Sequence, residues 1–322
     1  MNKDNAKEFL VTFLLSGTIA MTTKTIVAPL ERTKSILQNQ ESAYQVLTGE
    51  RKRYIGVVDI FRRVPKEQGW LSFWRGNGVN LIRTFPTMAF NFAFNDMYNK
   101  YLSGLFDTKQ NFAVAKVLSG GLAGVTTGTI LYPLEFCQTK ITSDFGSDKG
   151  FKTDKVAREY TGLFNCVGKV YRKEGYKGYF KGWHVEILGI FLYRGLYFGL
   201  YEMLKQAYLV RKERTQHKLD HIPFFANFVI ATTTTIVSSF TSYPLDTIGR
   251  RLMLDSARPA KFKQFKNARD AMFKMHEKHG ITSFYKGALV NSVRGVSSAL
   301  VLVMYDQILI WTNWKSKLKA KN

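Results

Sequence analysis

Two cysteines in 322 residues, Cys137 and Cys166, are too few for a disulfide framework or a thiolate metal cluster, and they read as packing residues. The five histidines (His184, His217, His221, His276, His279) show no metal-ligand spacing, so no metal site is predicted. A Walker-type glycine loop is missing, and nothing else in the chain supports an enzyme. Acidic side chains are scarce, 24 against 47 basic ones, which gives a net charge of +23. That excess first suggests a nucleic-acid binder. Against this, 45% of residues are hydrophobic and fall into long blocks, with the basic residues crowded between them. Binding RNA through aromatic and basic patches would place the aromatics outside those blocks, and most lie inside; no nucleic-acid partner is predicted. The opening stretch MNKDNAKEFLVTF lacks the basic n-region and cleavage site of a signal peptide. It is also short and acidic for a transit peptide, so no cleaved leader is expected.

Proline is scarce as well, yet three of the seven share one context: APLERTK at Pro29, YPLEFCQTK at Pro133 and YPLDTIGRR at Pro244. The intervals are 133 − 29 = 104 and 244 − 133 = 111. A second marker keeps the same beat. KEQGWLSFWRGN, KEGYKGYFKGW and EKHGITSFYKG place Gly69, Gly175 and Gly280 at intervals of 106 and 105. Two independent markers at one period define three tandem repeats, approximately 1–107, 108–215 and 216–322 of a single domain.

Each repeat reads as two long helices around a loop. An apolar segment precedes each proline, such as FAVAKVLSGGLAGVTTGTILY. Another follows each aromatic-basic-glycine triplet: Trp74-Arg75-Gly76, Phe180-Lys181-Gly182 and Tyr285-Lys286-Gly287. Each segment is close to the ~20 residues that cross a bilayer. Lys24, Arg83, Arg194 and Arg294 interrupt them, which suits a membrane bundle around a watery cavity. A soluble helical repeat protein is the alternative, and the basic loops favour the membrane. Proline inside a helix removes a hydrogen bond and kinks it. Three equivalent kinks would tilt the helices towards one axis, where Glu31, Glu135 and Asp246 would meet and need cations.

Seven residues beyond each triplet glycine stand Arg83, Gly189 and Arg294, at one depth under threefold symmetry. Two arginines and a gap suit an anion with a bulky uncharged end, with phosphates on the guanidinium groups and a flat base over the glycine. Tyr193, Tyr197 and Tyr201 share one helical face, either beside such a ligand or in ordinary packing.

P-x-[Asp/Glu]-x-x-[Lys/Arg] three times, each followed by such a triplet, resembles the mitochondrial carrier family over essentially the whole chain. IRTFPTMAFNFAFND, GIFLYRGLYFGLYE and SVRGVSSALVLVMYD are similar to the ADP/ATP carriers within it. The resemblance implies an all-α membrane protein of six transmembrane helices in a pseudo-threefold barrel, with short matrix-side helices. It implies a multi-pass antiporter of the mitochondrial inner membrane, exchanging ADP and ATP by alternating access, with no cofactor but with bound cardiolipin. The substrate set becomes Lys24, Arg83, Gly189, Ile190, Tyr193, Ser242 and Arg294. Lipid contacts fall on Arg75, Gly76, Lys181, Gly182, Lys286 and Gly287. Phe265-Lys266-Asn267 lacks the glycine of Tyr54-Ile55-Gly56 and Tyr160-Thr161-Gly162, which weakens one lipid site.

The family's matrix gate joins the base of each motif to the acid of the next. Here the bases are Lys34, Gln138 and Gly249, so Lys34 would pair with Glu135, Gln138 would offer Asp246 a neutral bond, and Glu31 would face Gly249 unpaired. Arg250 sits one residue on, turned by about 100° and so out of place. Gln38 matches the family's glutamine brace. The cytosolic gate reads Asp96 then Asn99, Glu202 then Lys205, and Asp306 then Leu309, leaving only Lys205 to meet Asp96. These losses open a second reading: a transport-impaired, carrier-derived structural subunit of a larger inner-membrane complex, respiratory for example, in place of a monomeric carrier. A carrier of another anionic phosphorylated solute is the third.

Overall fold

The computed structural model describes residues 3–105, 109–147, 156–213 and 223–297. In chain order the helices are α1 (Lys3–Asn39), α2 (Tyr44–Leu47), α3 (Val57–Gln68), α4 (Asn77–Leu105), α5 (Lys109–Thr142), α6 (Leu163–Glu174), α7 (Trp183–Glu213), α8 (Phe224–Asp255) and α9 (Ala268–His279). Helical residues 288–297 begin α10. No strand occurs among the described residues.

Pro29, Pro133 and Pro244 all lie inside long helices, α1, α5 and α8, which run on through them. Neighbours in the chain pack together: α1 on α4, α4 on α5, α5 on α7, and α7 on α8. The three proline-bearing helices also touch one another, as the repeat pattern requires. By length and composition, three described segments are apolar enough to cross a membrane: Phe13–Ser42, Val117–Thr142 and Tyr176–Arg211.

The short helices α3, α6 and α9 have one construction. Each buries a pair of side chains four residues apart, Ile60 and Val64, Cys166 and Val170, or Ala271 and Met275, on one helical face. Each seeds a separate small core, joined by Phe73 and Phe145, by Phe136 and Tyr179, or by Phe265 and Phe284. Both cysteines pack in the second core, as expected of them. These cores gather at the end of the molecule where the proline-bearing helices finish.

The triplet glycines close the ring. Gly76, Gly182 and Gly287 have φ of 87°, 88° and 84°, a region that favours glycine. A Cβ on Gly76 would meet the Thr142 hydroxyl; on Gly182 it would stand 2.7 Å from the Gly249 carbonyl oxygen; on Gly287, 3.0 Å from that of Lys34. Repeat one therefore touches two, two touches three, and three returns to one. Gly182→Ala combines a disfavoured backbone with a clash against backbone. It should cost about 1–3 kcal/mol, read as a lowered midpoint in thermal unfolding of the purified protein.

Basic side chains reinforce the same circuit by reaching carbonyls at helix C-termini, where the dipole favours cations. Arg32 donates to the Ile141 carbonyl at 3.3 Å, Lys140 to that of Leu254 at 3.3 Å, and Arg251 to that of Gln38 at 3.3 Å.

Candidate functional site

A cavity of about 340 Å³ lies between the long helices. Arg83 comes to its wall from α4, Gly189, Ile190 and Tyr193 from α7, Ser242 from α8 and Arg294 from α10. Six of the seven expected substrate residues are thus brought together. Lys24, the seventh, turns instead to α4, donating to Thr84 Oγ1 at 2.9 Å and Asn80 Oδ1 at 3.2 Å. At Gly189 a Cβ would stand 3.4 Å from that of Leu245, an ordinary contact between α7 and α8. Tyr193, Tyr197 and Tyr201 form a stacked ladder with centroids 6.2 and 6.1 Å apart, and only the first lines the cavity.

The cavity's cations are engaged by protein. Arg83 Nη1 lies 2.8 Å from Glu135 Oε2, an acid that nothing near Arg83 in sequence announces. Arg294 donates to Asn291 Oδ1 through Nε at 3.3 Å and Nη2 at 3.2 Å. Arg194 was expected only to interrupt an apolar segment. It lines the cavity, pinned to the Gly120 carbonyl at 3.2 Å and Asn91 Oδ1 at 3.1 Å.

Below the cavity the proline-bearing helices meet, and the expected gate is corrected in two ways. Its sense is reversed. Lys34 Nζ lies 3.0 Å from Asp246 Oδ2, not beside Glu135, and Gln138 donates to Glu31 Oε1 at 3.3 Å, not to Asp246. The base of each motif thus meets the acid of the preceding repeat. Spacing along a helix fixes that the two residues face different neighbours, but the handedness of the ring is not written in that spacing. Nor is Glu31 left facing Gly249, since Asn80 Nδ2 also donates to it at 3.0 Å.

The second correction concerns Arg250. Its long side chain folds back one turn, placing Nε 2.7 Å from Asp246 Oδ1, while Nη2 reaches to 3.6 Å from Glu135 Oε1 and Nη1 donates to Thr139 at 3.1 Å. Arg250 therefore does much of what a base at position 249 would do. Gln38 braces the same place, donating to Asp246 Oδ2 at 2.9 Å and Thr247 Oγ1 at 3.0 Å. The closed end holds more than the single ion pair expected.

At the opposite end no comparable network forms among the described residues. Asp96 is exposed and pairs with Lys100 on its own helix at 2.8 Å, which replaces the expected partner Lys205. Asn99 keeps a buried Oδ1 without a partner, and Glu202 is exposed. Asp306 and Leu309 lie outside the described residues.

The basic residues of the triplets, expected at lipid, spend their donors on protein. Arg75 donates to the Asp144 carbonyl at 3.0 Å and that of Gly146 at 2.7 Å, Lys181 reaches Asp255 Oδ2 at 3.5 Å, and Lys286 pairs with Glu41. The third repeat's missing glycine brings no strain. Gly56 and Gly162 are extended (φ −175° and 173°), and Asn267 at the equivalent place caps α9, accepting from the Asp270 amide at 2.9 Å. The Lys266 amide, donating to Asp270 Oδ2 at 2.9 Å, and then the Lys274 ammonium, also at 2.9 Å, hold the Asp270 carboxyl, outside the long helices, below the usual carboxylate range.

Sequence reasoning also passed over Glu186. Counting four residues beyond each triplet glycine, one turn before the arginine ring, would have shown Asn80, Glu186 and Asn291 as a second ring.

Comparisons with known proteins bear on this geometry. One family model, described as mitochondrial carrier protein, matches residues 5–105, 109–212 and 220–315. Among curated relatives, the chain is 40% identical over 309 residues to the mitochondrial substrate carrier family protein ancA of Dictyostelium discoideum, covering 95% of this chain and 94% of the relative. It is 39% identical over 312 residues to ADP/ATP translocase 2 of Rattus norvegicus (96% and 99%) and 40% identical over 307 residues to ADP/ATP translocase 4 of Homo sapiens (94% and 92%). A threefold motif, a threefold fold around a cavity and a threefold match to one model agree: the chain belongs to the mitochondrial carrier family, whose members are transporters and not enzymes.

Proposed function

We propose that the chain is a multi-pass carrier of the mitochondrial inner membrane that exchanges ADP for ATP by alternating access. Six spanning helices, α1, α4, α5, α7, α8 and α10, form its pseudo-threefold barrel, with the short helices on the matrix side. The observation that carries this reading is the convergence of Arg83 and Arg294 with Ile190, Tyr193 and Ser242 on one cavity. Guanidinium groups match phosphate with paired hydrogen bonds, and the apolar wall of α7 suits a base. The relatives named as ADP/ATP translocases support the same cargo.

The pair between Arg83 and Glu135 belongs to this mechanism. With side chains 21% and 18% exposed to the cavity, it is reachable by an incoming phosphate, which must displace the carboxylate to bind. Substrate arrival then loosens the closed end by removing a cation from it. Binding and opening share one side chain, which is the differential interaction that a switch between two states requires. The rebuilt gate around Arg250 favours a working carrier over a transport-impaired subunit, and the closure of three repeats on themselves favours a monomer. Cardiolipin would bind around the triplets at the starts of the helices that follow them, with the basic side chains fixing the surrounding loops from within.

The experiment is exchange in proteoliposomes. Vesicles loaded with ATP should take up labelled ADP, and take up little without internal nucleotide. Folded protein that exchanges neither nucleotide would refute the cargo, and uptake of another phosphorylated anion in its place would redirect it.

A further inference from the structure

One buried group in the gate has no counterpart in the other repeats. Of the second ring, Asn80 and Asn291 are fully occupied: Asn80 bonds Glu31 and Lys24, and Asn291 bonds Ser239 and Arg294. The third member is the carboxylate of Glu186, only 7% exposed, whose Oε2 accepts no hydrogen bond. It lines the cavity floor together with Glu135 and Asp246. Its carboxylate lies against the glycine that breaks the third motif, where a Cβ on Gly249 would stand 2.9 Å from Glu186 Oε2 and push that oxygen aside. The missing base and the added acid are therefore one arrangement.

The charged and titratable groups facing Glu186 are Glu135 and Tyr132 from α5, Asp246 and Arg250 from α8, and Lys34 from α1. Each base is committed elsewhere, Lys34 to Asp246, and Arg250 to Asp246 and Glu135. The Tyr132 hydroxyl donates to the Lys181 carbonyl at 2.9 Å. At the floor, the bases that reach these acids are three (Lys34, Arg83 on Glu135, and Arg250) against three acids (Glu135, Asp246, Glu186), while Arg194 and Arg294 line the same cavity bonded to Asn91 and Asn291. When a phosphate draws Arg83 away, two bases face three acids in a partly dry site. An uncompensated carboxylate there is expensive, and proton uptake removes the charge.

We propose that Glu186 takes up one proton from cavity water as substrate phosphate captures Arg83, and gives it back when the substrate leaves, so that a proton travels with each nucleotide. The balance is a carboxylate and a hydronium ion becoming a carboxylic acid and water, reversed on the other side. This rests on the nucleotide reading above.

The test is calorimetric titration of the purified full chain with ADP, in buffers of different ionisation enthalpy, at a pH where ADP is fully ionised. The wild type should take up about one proton per ADP bound, and Glu186→Gln about none, whatever its affinity. Gly249→Arg, which supplies Glu186 with a base, should also abolish uptake and covers the case in which the first variant fails to fold. In proteoliposomes the wild type should move a proton with each ADP, read by an entrapped pH dye against labelled uptake. ADP binding without proton uptake in the wild type, or equal uptake in the variants, overturns the proposal and leaves the nucleotide reading standing. Absence of ADP binding overturns both.

Discussion

Arg83→Ala should abolish the rise in thermal stability that ADP confers on the purified protein. A ligand at a hundred times its dissociation constant stabilises the folded state by about 2.7 kcal/mol. Charge-assisted hydrogen bonds contribute about 1.5–3 kcal/mol each, so losing a guanidinium that holds phosphate lowers affinity by about 100-fold or more. At the same ADP concentration the increment then falls close to zero. Without ligand the variant should lose stability too, because Glu135 would forfeit its partner at 2.8 Å. It keeps Arg250 at 3.6 Å, so that loss is modest. The two effects separate cleanly, since a merely structural arginine would lower both melting curves and leave the ADP increment intact. That outcome would remove Arg83 from the binding site. Arg83→Lys should recover part of the increment, as a point charge without the fork.

Arg250→Ala should be the most destabilising single change at the closed end. The guanidinium serves two carboxylates, at 2.7 Å and 3.6 Å, and its removal leaves Lys34 as the base for Asp246 and Arg83 for Glu135. Breaking a fully buried pair costs about 3–5 kcal/mol, while exposed pairs contribute about 0–1 kcal/mol. With the Arg250 side chain 22% exposed, the loss should be about 2–4 kcal/mol. Thermal unfolding of the ligand-free protein measures it, and Arg250→Lys should fall between. A melting point equal to wild type would show that Lys34 and Gln38 close the gate unaided.

The repeat was legible because two markers, proline and triplet glycine, keep one period. The same counting located the ring of Arg83, Gly189 and Arg294, since symmetry converts an interval into a depth. What could not be read was partnership across the ring. Glu135 lies 52 residues from Arg83 (135 − 83), and only the convergence of α4 on α5 brings them together. Gly249 looked like a loss because its neighbour in space, Glu186, sits in another repeat. The sense of the gate pairs depends on which way the ring winds. Lys181 and Lys286 face inward because acids at the ends of the proline-bearing helices, Asp255 as the last residue of α8 and Glu41 just after α1, stand within their reach.

The circular embrace of the repeats constrains the order in which the molecule can be completed. Lys286 and Glu41, which seal the last repeat to the first, are 245 positions apart along the chain. During synthesis α1 must wait, its C-terminal carbonyls ungrasped, until nearly the whole polypeptide has emerged. Contacts of such span are slow to form. A chain broken off before α8 would keep two well-formed sectors and still have no floor, because Asp246 and Arg250 arrive only with that helix.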